Sequence, residues 1–548
     1  MALDDNFWLR RRLDRRSVLR AGGLGLAGLA GAAMIGCGES DSDEGASAAS
    51  SSSGGGTASS GGATSAAATA STGAKFERKG TLFLKDIPQT QDWHRHTGTM
   101  PSPSLVCDTP TAIDANGATQ LFLLDSIEAP DAANYTFKFK QGVKFHNGRE
   151  LTSDDVRQNF ERIRDTDGAW MKTTANGIES METPDDQTIV LKLKEPYSPM
   201  LALISEMWLM APESDGWDGT VSHPIGTGPF AWKQWIPNDH IELEAFADYW
   251  QPERPKIAGI HVKNLEGDPI PALLAGDVHV SGISVNQREM VQNDPDIDVQ
   301  LEKATSWEFL SFNNRSPRAP FDDIRVRQAV GHALDKAALN EFANGDTGVV
   351  ADQMAPPGSF YWSDQIVDPF AKPNLAESAK LLAAAGISLP LKAVMPVNTD
   401  PKKPEVVAAQ LREAGIECDL QVADDVTTET RLQAYDWDVY FAGSGTRSDI
   451  ALRFVRLLSD GPNPGLWGGP QDPEYDRLVK EAWASVDADE RKAKYIEAWQ
   501  VVMDKLFTIV AYHRSGLTAI RKDVQGWQTG AVANFNRIDG GVSHITLA

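Results

Sequence analysis

Cysteine is nearly absent: the 548 residues hold three, at Cys37, Cys107 and Cys418. They form no C-x-x-C pair and no zinc spacing, which excludes a disulfide framework and a structural zinc site and leaves Cys107 and Cys418 as buried thiols. Positive charge is also scarce. Lys and Arg number 52 against 76 Asp and Glu, a net of −24. Without a basic stripe, nucleic acid and broad contact with anionic lipid are excluded as partners. After residue 36 no apolar run reaches the roughly 18 residues of a membrane span. Nucleophile elbows, H-E-x-x-H pairs and Walker loops are missing as well, so no catalytic motif supports an enzyme. What is plentiful is apolar and aromatic material, 41% apolar with 15 tryptophans, in a chain long enough for about two to four domains.

Residues 1–37 read as an address rather than as fold. Paired Arg15 and Arg16, in DRRSVLR, precede a weakly apolar Gly/Ala run that ends Met34-Ile35-Gly36-Cys37. The pair resembles the twin-arginine export consensus, and the ending resembles a lipobox with Met34 in place of Leu, making Cys37 the lipidation residue. A short uncleaved anchor is the other reading. Gly23–Gly28 fits G-x-G-x-x-G, but no strand precedes it, so it carries no dinucleotide. Residues 38–74 contain only Gly, Ala, Ser, Thr, Asp and Glu. Such a segment has nothing to bury and is expected as a disordered linker of roughly 30 Å root-mean-square span. Without its leader the chain is more acidic still, at −27.

The body begins near Lys75. Tyr135, Phe137 and Phe139 alternate with Lys138 and Lys140, predicting a strand. Thr152-Ser153-Asp154-Asp155 is a capping box for a helix through Val156, Phe160 and Ile163, and Ile189, Leu191 and Leu193 predict another strand. His223–Trp250 opens on the Gly226–Pro229 turn and reads as a hairpin, with Phe230 and Trp232 on one strand and Ile241 and Leu243 on the other. Further on, Phe321–Lys336 predicts a helix capped by Asp322 or Asp323. Residues 376–443 read as β-α-β-α-β: helices ending at Gly386 and Gly415, and strands at Leu391–Pro396, Cys418–Val422 and Asp438–Ala442. That pattern predicts a doubly wound parallel unit whose ligands bind past the carboxyl ends of its strands. The segment there is Gly443-Ser444-Gly445-Thr446-Arg447-Ser448-Asp449. Its alternative is an ordinary surface loop.

Several of these strings together resemble one family. Tyr135–Val156, Pro224–Phe230 with Tyr249-Trp250, Gly276-Asp277-Val278 and Phe321–Arg327 are similar, in order, to segments of the family 5 extracellular solute-binding proteins, which bind oligopeptides, dipeptides or nickel for ABC importers. The resemblance covers about residues 80–548. It implies an α/β, two-lobed periplasmic-binding-protein-like fold of type II with an insertion domain. Core lobe I would comprise 75–100, 221–305 and 514–548, the insertion 101–220, and lobe II 306–513. Hinged crossings would lie near Ala304–Trp307 and Ile509–Arg514. It further implies an exported monomer, lipid-anchored at the outer face of the cytoplasmic membrane or in the periplasm. That monomer captures a small-molecule or peptide ligand, without cofactor or resident metal, and hands it to ABC permease subunits in the membrane. Relatives that carry nickel chelates or haem, and a membrane-tethered secreted enzyme, are the rival readings.

In peptide-binding relatives the loop after the last strand reads Gly-Trp-x-x-Asp, and the Asp pairs with the peptide's α-amine. Here Ser444 stands at the Trp and Arg447 at the Asp, so the expected anchor is cationic. Arg447, with hydroxyls of Ser444 and Thr446 beside it, suits a carboxylate, which a guanidinium grips bidentately. Two alternatives remain: Asp449 bridges Arg447, or Asp449 itself is a shifted amine anchor. Trp93 and Trp307 are candidates for stacking on the ligand, or else packing residues. His94, in His94-Arg95-His96, is a candidate ligand contact; the pair could supply two imidazoles to a metal, as the relatives carrying nickel chelates or haem suggest, or be ordinary polar surface.

Overall fold

Two adjacent, antiparallel chain segments carry the fold from one sheet to another. Ile297–Leu301 pairs antiparallel with Leu517–Arg521 in the first sheet. A few residues on, Ser306–Phe312 pairs antiparallel with Thr508–Arg514 in the second, Ser306 opposite Arg514. Between these pairings Glu302 accepts the Thr518 hydroxyl at 2.6 Å, and its N–H donates to Gly516 O at 2.9 Å. A Cβ at Gly516 would lie 2.2 Å from the Glu302 carboxylate, so a larger residue there would have to displace that side chain. The computed structural model describes residues 77–85, 92–95, 103–114, 118–169, 171–237, 239–265, 267–302, 306–345, 347–445, 447, 449–462, 464–529, 536–537 and 540–548. The expectations for Arg15, Arg16, Cys37, the 38–74 linker and Thr446 lie outside them.

The first sheet has seven strands in the order 297–301, 517–521, 280–283, 81–85, 259–263, 240–245, 230–236. Thr81–Lys85 runs parallel to both its neighbours, and the outer pairings are antiparallel. The hairpin read at Phe230–Ala245 is its edge, Phe230 opposite Ala245. Leu82, Leu84, Phe230, Ile241 and Leu243 bury their alternating faces in one cluster, as period-two patterning requires.

The insertion is a four-stranded antiparallel sheet in the order 124–131, 134–139, 188–193, 178–185. The helix Ser153–Asp165 covers it, burying Val156, Phe160 and Ile163 against Tyr135, Phe137 and Leu191. Thr152 and Asp155 close the capping box reciprocally, Thr152 N–H to Asp155 Oδ2 at 2.8 Å and Asp155 N–H to Thr152 Oγ1 at 3.4 Å. The paired acids at 154–155 and 322–323 each supply a cap, Asp323 starting the helix Ile324–Ala333.

The second lobe corrects one expectation. Leu391–Val397 and Ile416–Val422 do pair in parallel, with helix Lys402–Glu413 between them. Val439–Ser444 does not extend that ladder. It pairs antiparallel with Ser306–Phe312, giving a sheet in the order 349–350, 508–514, 306–312, 439–444. The join is made by Asp438, whose N–H donates to Val394 O at 3.0 Å. Its Oδ2 accepts the Val394 N–H at 2.7 Å, and Arg318 clamps both carboxylate oxygens at 3.0 and 2.8 Å. A side chain takes the place of the next ladder bond, so the lobe carries a parallel pair beside a four-stranded antiparallel sheet rather than one doubly wound sheet.

Candidate functional site

Beyond Ser444 the chain turns toward the insertion. Ser444 itself is a buried strand residue opposite Trp307. Asp449 lies just ahead of the short helix Ala451–Phe454: its Oδ1 accepts the Ala451 N–H at 2.7 Å, and the Tyr361 hydroxyl also bonds its carboxylate. Burial pushes the Asp449 carboxyl up, with Arg491 nearby opposing it.

Arg447 reaches across to the insertion. Its Nη1 donates to Glu206 Oε2 at 3.1 Å, and each side chain is only 8% exposed. Glu206 closes the single turn Ile204–Glu206, beside Leu203 and Ile204 of the insertion core. Leu452, from the second lobe, packs into that same core. The Ser198 N–H donates to Trp483 O at 2.8 Å, and Tyr197 meets the Trp483 ring edge-on at 5.1 Å. The insertion and the second lobe therefore meet through charge, hydrogen bonding and apolar packing.

Two more guanidiniums stand behind Arg447. Arg453 and Arg456 are three residues apart on consecutive helical turns, a spacing that places them on one side. Arg453 is buried, donates to Met354 O at 2.7 Å, and has its Cζ 5.9 Å from the Trp307 ring centroid. The Arg456 Cζ lies 5.0 Å from Trp467. Trp307, Phe309 and Trp467 form a stack with centroids 4.6, 4.8 and 6.0 Å apart. Ring faces are electron-rich, and each cation over one gains about 2 kcal/mol when desolvated. Burial, then the positive field of Arg447, pulls Arg453 and Arg456 down to about 9. Both stay protonated at neutral pH. Glu206 thus acts on Arg447 by direct contact and on Arg456 through space.

The two aromatic candidates are packing residues instead. Trp307 is fully buried beneath Arg453, and Trp93 is 2% exposed in the core of the first sheet. His94 is buried too. Its Nδ1 faces Arg162 Nη1 at 2.9 Å and its Nε2 faces Trp208 O at 3.2 Å, so both ring nitrogens are engaged inside the protein. Arg162 grips Asp92 bidentately at 2.8 and 2.6 Å, and His94 belongs to that network. Of the residues read as a ligand site, the structure keeps Arg447 and Asp449 at the meeting of insertion and second lobe. Glu206, Arg453, Arg456 and Trp467 escaped sequence reasoning. The Arg453-x-x-Arg456 spacing next to Arg447 was a usable signal; Glu206 offered none. Among the described residues no group of three or more His, Cys, Asp and Glu could hold a metal ion, and no helix is long and apolar enough to cross a membrane.

Residues 120–465 match the family model described as bacterial extracellular solute-binding proteins, family 5 middle. The dipeptide-binding protein of Escherichia coli K12 is 24% identical over 463 residues, covering 72% of this chain and 81% of its own. Two solved structures share the fold. NikA from Brucella suis in complex with Fe(III)-EDTA has a TM-score of 0.75 at 22% identity, covering 86% of this chain and 100% of its own. The oligopeptide-binding protein AppA from Bacillus subtilis, with a nonapeptide, has a TM-score of 0.74 at 21% identity, again covering 86% and 100%.

Proposed function

Because the chain belongs to the family 5 bacterial extracellular solute-binding proteins, we propose that it is the solute-capturing component of an ABC importer and that its solute carries a carboxylate or comparable anionic group. One fold holds both a nonapeptide and an iron–EDTA chelate, so the choice of solute has to come from this chain's own side chains. The observation that carries the reading is the cluster Arg447, Arg453 and Arg456, largely withdrawn from water, with Glu206 as its acidic member. Removing cations from water costs several kcal/mol each unless an anion and good hydrogen bonds offset it. Arg447 is held by Glu206 and Arg453 by Met354 O; a solute carboxylate or an anionic metal chelate between insertion and second lobe adds an anion to their positive field. Asp449 supports an amine anchor less well, since its carboxylate already serves Ala451 and Tyr361.

Capture is non-catalytic in this reading: the lobes close on the solute, a permease engages the closed form, and no solute bond breaks. The leader's paired Arg15 and Arg16 and its Cys37 support export by the twin-arginine route and a lipid anchor, with the acidic body held off the membrane by residues 38–74. The direct test is mass spectrometry of whatever solute co-purifies with the exported protein and is released on denaturation. We expect an organic acid or an anionic chelate. A tightly held solute without an acidic group overturns the anion reading.

A further inference from the structure

The insertion is fastened to its two neighbours in different ways. Toward the first lobe the joint is buried and continuous. Arg162 holds Asp92 bidentately, both side chains out of solvent. His146 is bonded on either side of Thr227, its N–H to Gly226 O at 2.9 Å and its ring Nε2 against Gly228 O at 3.0 Å. Toward the second lobe the seam keeps a cavity of 320 Å³. Exposed charges line it from both sides, Lys194 and Glu195 of the insertion and Asp460 and Lys480 of the second lobe. Permanent cores are packed with few voids larger than a water molecule, and charges are depleted from the centre of lasting interfaces. The first joint has the composition of a fixed one, the second that of a contact made and broken.

One set of bonds in that seam is directional. The helix Pro473–Ala484 ends at it, and helix ends leave carbonyls without intrahelical donors. The Asp487 N–H, which would continue the helix onto Trp483 O, goes to Ser485 Oγ at 3.1 Å instead. Trp483 O takes its donor from the insertion, the Ser198 N–H at 2.8 Å. Ser198 Oγ reaches Ala482 O at 3.4 Å, and the Tyr197 ring meets Trp483 edge-on. Tyr197 is itself firmly mounted on the insertion sheet: its N–H donates to Ala132 O at 2.7 Å, and the Tyr135 hydroxyl donates to Tyr197 O at 3.0 Å. From this geometry, and resting on the capture reading above, we propose that Tyr197–Ser198 is a latch for the second lobe. It caps the helix Pro473–Ala484 from outside while the lobes are closed and lets go of it as they part. Tyr197, Ser198 and Trp483 are positioning residues: they act on the closed state rather than on the solute, and a contact present in one state alone shifts the equilibrium toward that state.

The latch is followed without any solute. In the mature protein, cleared of co-purified solute by unfolding and refolding, Cys418→Ser leaves Cys107 buried and unreactive. Spin labels on Glu182→Cys in the insertion and Gln500→Cys in the second lobe, both exposed positions, then report the distance across the seam. Pulsed electron spin resonance should resolve two populations, one at the spacing of the structure and one longer. Trp483→Leu removes the ring contact, and Tyr197→Leu serves if that variant misfolds. Either should raise the ratio of long to short about fivefold. Trp483→Phe keeps an edge-on ring and should bring the ratio back to within about twofold of the native one. A merely structural contact would lower the melting temperature in Trp483→Leu and leave one distance. A single short distance in both the native protein and a folded variant, or a long population that the variants leave unchanged, overturns the latch. Neither result touches capture itself, which stands or falls on the solute identified by mass spectrometry.

Discussion

Acidification should unfold this protein through histidines that the fold keeps neutral. His94 and His513 are both buried. His94 sits against Arg162, and His513 faces Gln353 O at 2.9 Å with the Arg453 charge nearby. Burial first, and those guanidiniums second, bring each imidazole down to about 3, from an ordinary 6.5. In the unfolded chain both protonate as pH drops below about 6.5. The unfolded state then binds more protons than the folded one, so stability is complete above pH 6.5 and is lost progressively toward pH 3. Each neutral histidine contributes a slope of about 1.4 kcal/mol per pH unit, hence about 3 kcal/mol per unit for the pair between about pH 6 and 4. Across that window the loss is about 5 kcal/mol, comparable with the whole stability of many domains. Asp92 acts in the same direction. Burial raises it, but the Arg162 contact outweighs burial and holds it below the usual carboxylate range, so its stabilisation is also lost as pH falls. Urea denaturation followed by tryptophan fluorescence at stepped pH measures the slope. His146 is brought down by burial as well, to about 4, so in His94→Gln, where the amide replaces both ring hydrogen bonds without titrating, the slope should fall by about a third. A midpoint that stays flat from pH 7 to about 4, or a slope unchanged in His94→Gln, refutes the argument.

Glu206→Gln removes the acid that faces Arg447 while keeping a hydrogen-bond acceptor, and should lower stability by about 2 kcal/mol yet tighten binding of a carboxylate solute. Weaker binding in calorimetry would show that Glu206 assists the solute instead of competing with it. Changing Arg15 and Arg16 together to Lys should leave precursor in the cytoplasm, and Cys37→Ala should shift the exported protein from the membrane to the soluble fraction. Normal export in the first variant, or membrane retention in the second, would point to an uncleaved anchor.

Local chemistry is what sequence could be read for. The Thr152–Asp155 box, the Phe230–Ala245 hairpin and the glycine after helix Lys402–Glu413 each involve residues a few positions apart, and each lies where the pattern placed it. The misplacements share one cause. Asp438 takes a ladder position from Val394, 44 residues away, so the third strand of the expected parallel unit turned toward Ser306–Phe312. Trp93 and Trp307 sat in loop-like or crossing segments that suggested access, but burial is decided by what packs over a residue, and a long-range stack with Trp467 covers Trp307. Arg447 was legible as a cation past a strand end. Its counter-ion was not, because Glu206 is 241 residues away and resembles any acid in an acidic chain. Charge pairing across domains leaves no periodicity to detect.

That pairing also bears on how a solute could close the lobes. Arg447, Arg453 and Arg456 all belong to the second lobe, while Glu206 belongs to the insertion. Bringing the two together pairs Arg447 with Glu206, and it also takes the neighbouring guanidiniums further from water. At about several kcal/mol of desolvation per ion, the Glu206 contact does not by itself offset covering Arg453 and Arg456. On the proposed reading a neutral solute leaves that desolvation cost unchanged. A carboxylate reduces it, and does so only in the closed form, where the surroundings are dry and the Coulomb term is strong. Differential stabilisation of one state is the sole means by which a ligand shifts a conformational equilibrium. On the proposed anion reading this buried positive charge is the discriminating element, making closure conditional on an anion, and the stack of Trp307, Phe309 and Trp467 packs beneath the arginines.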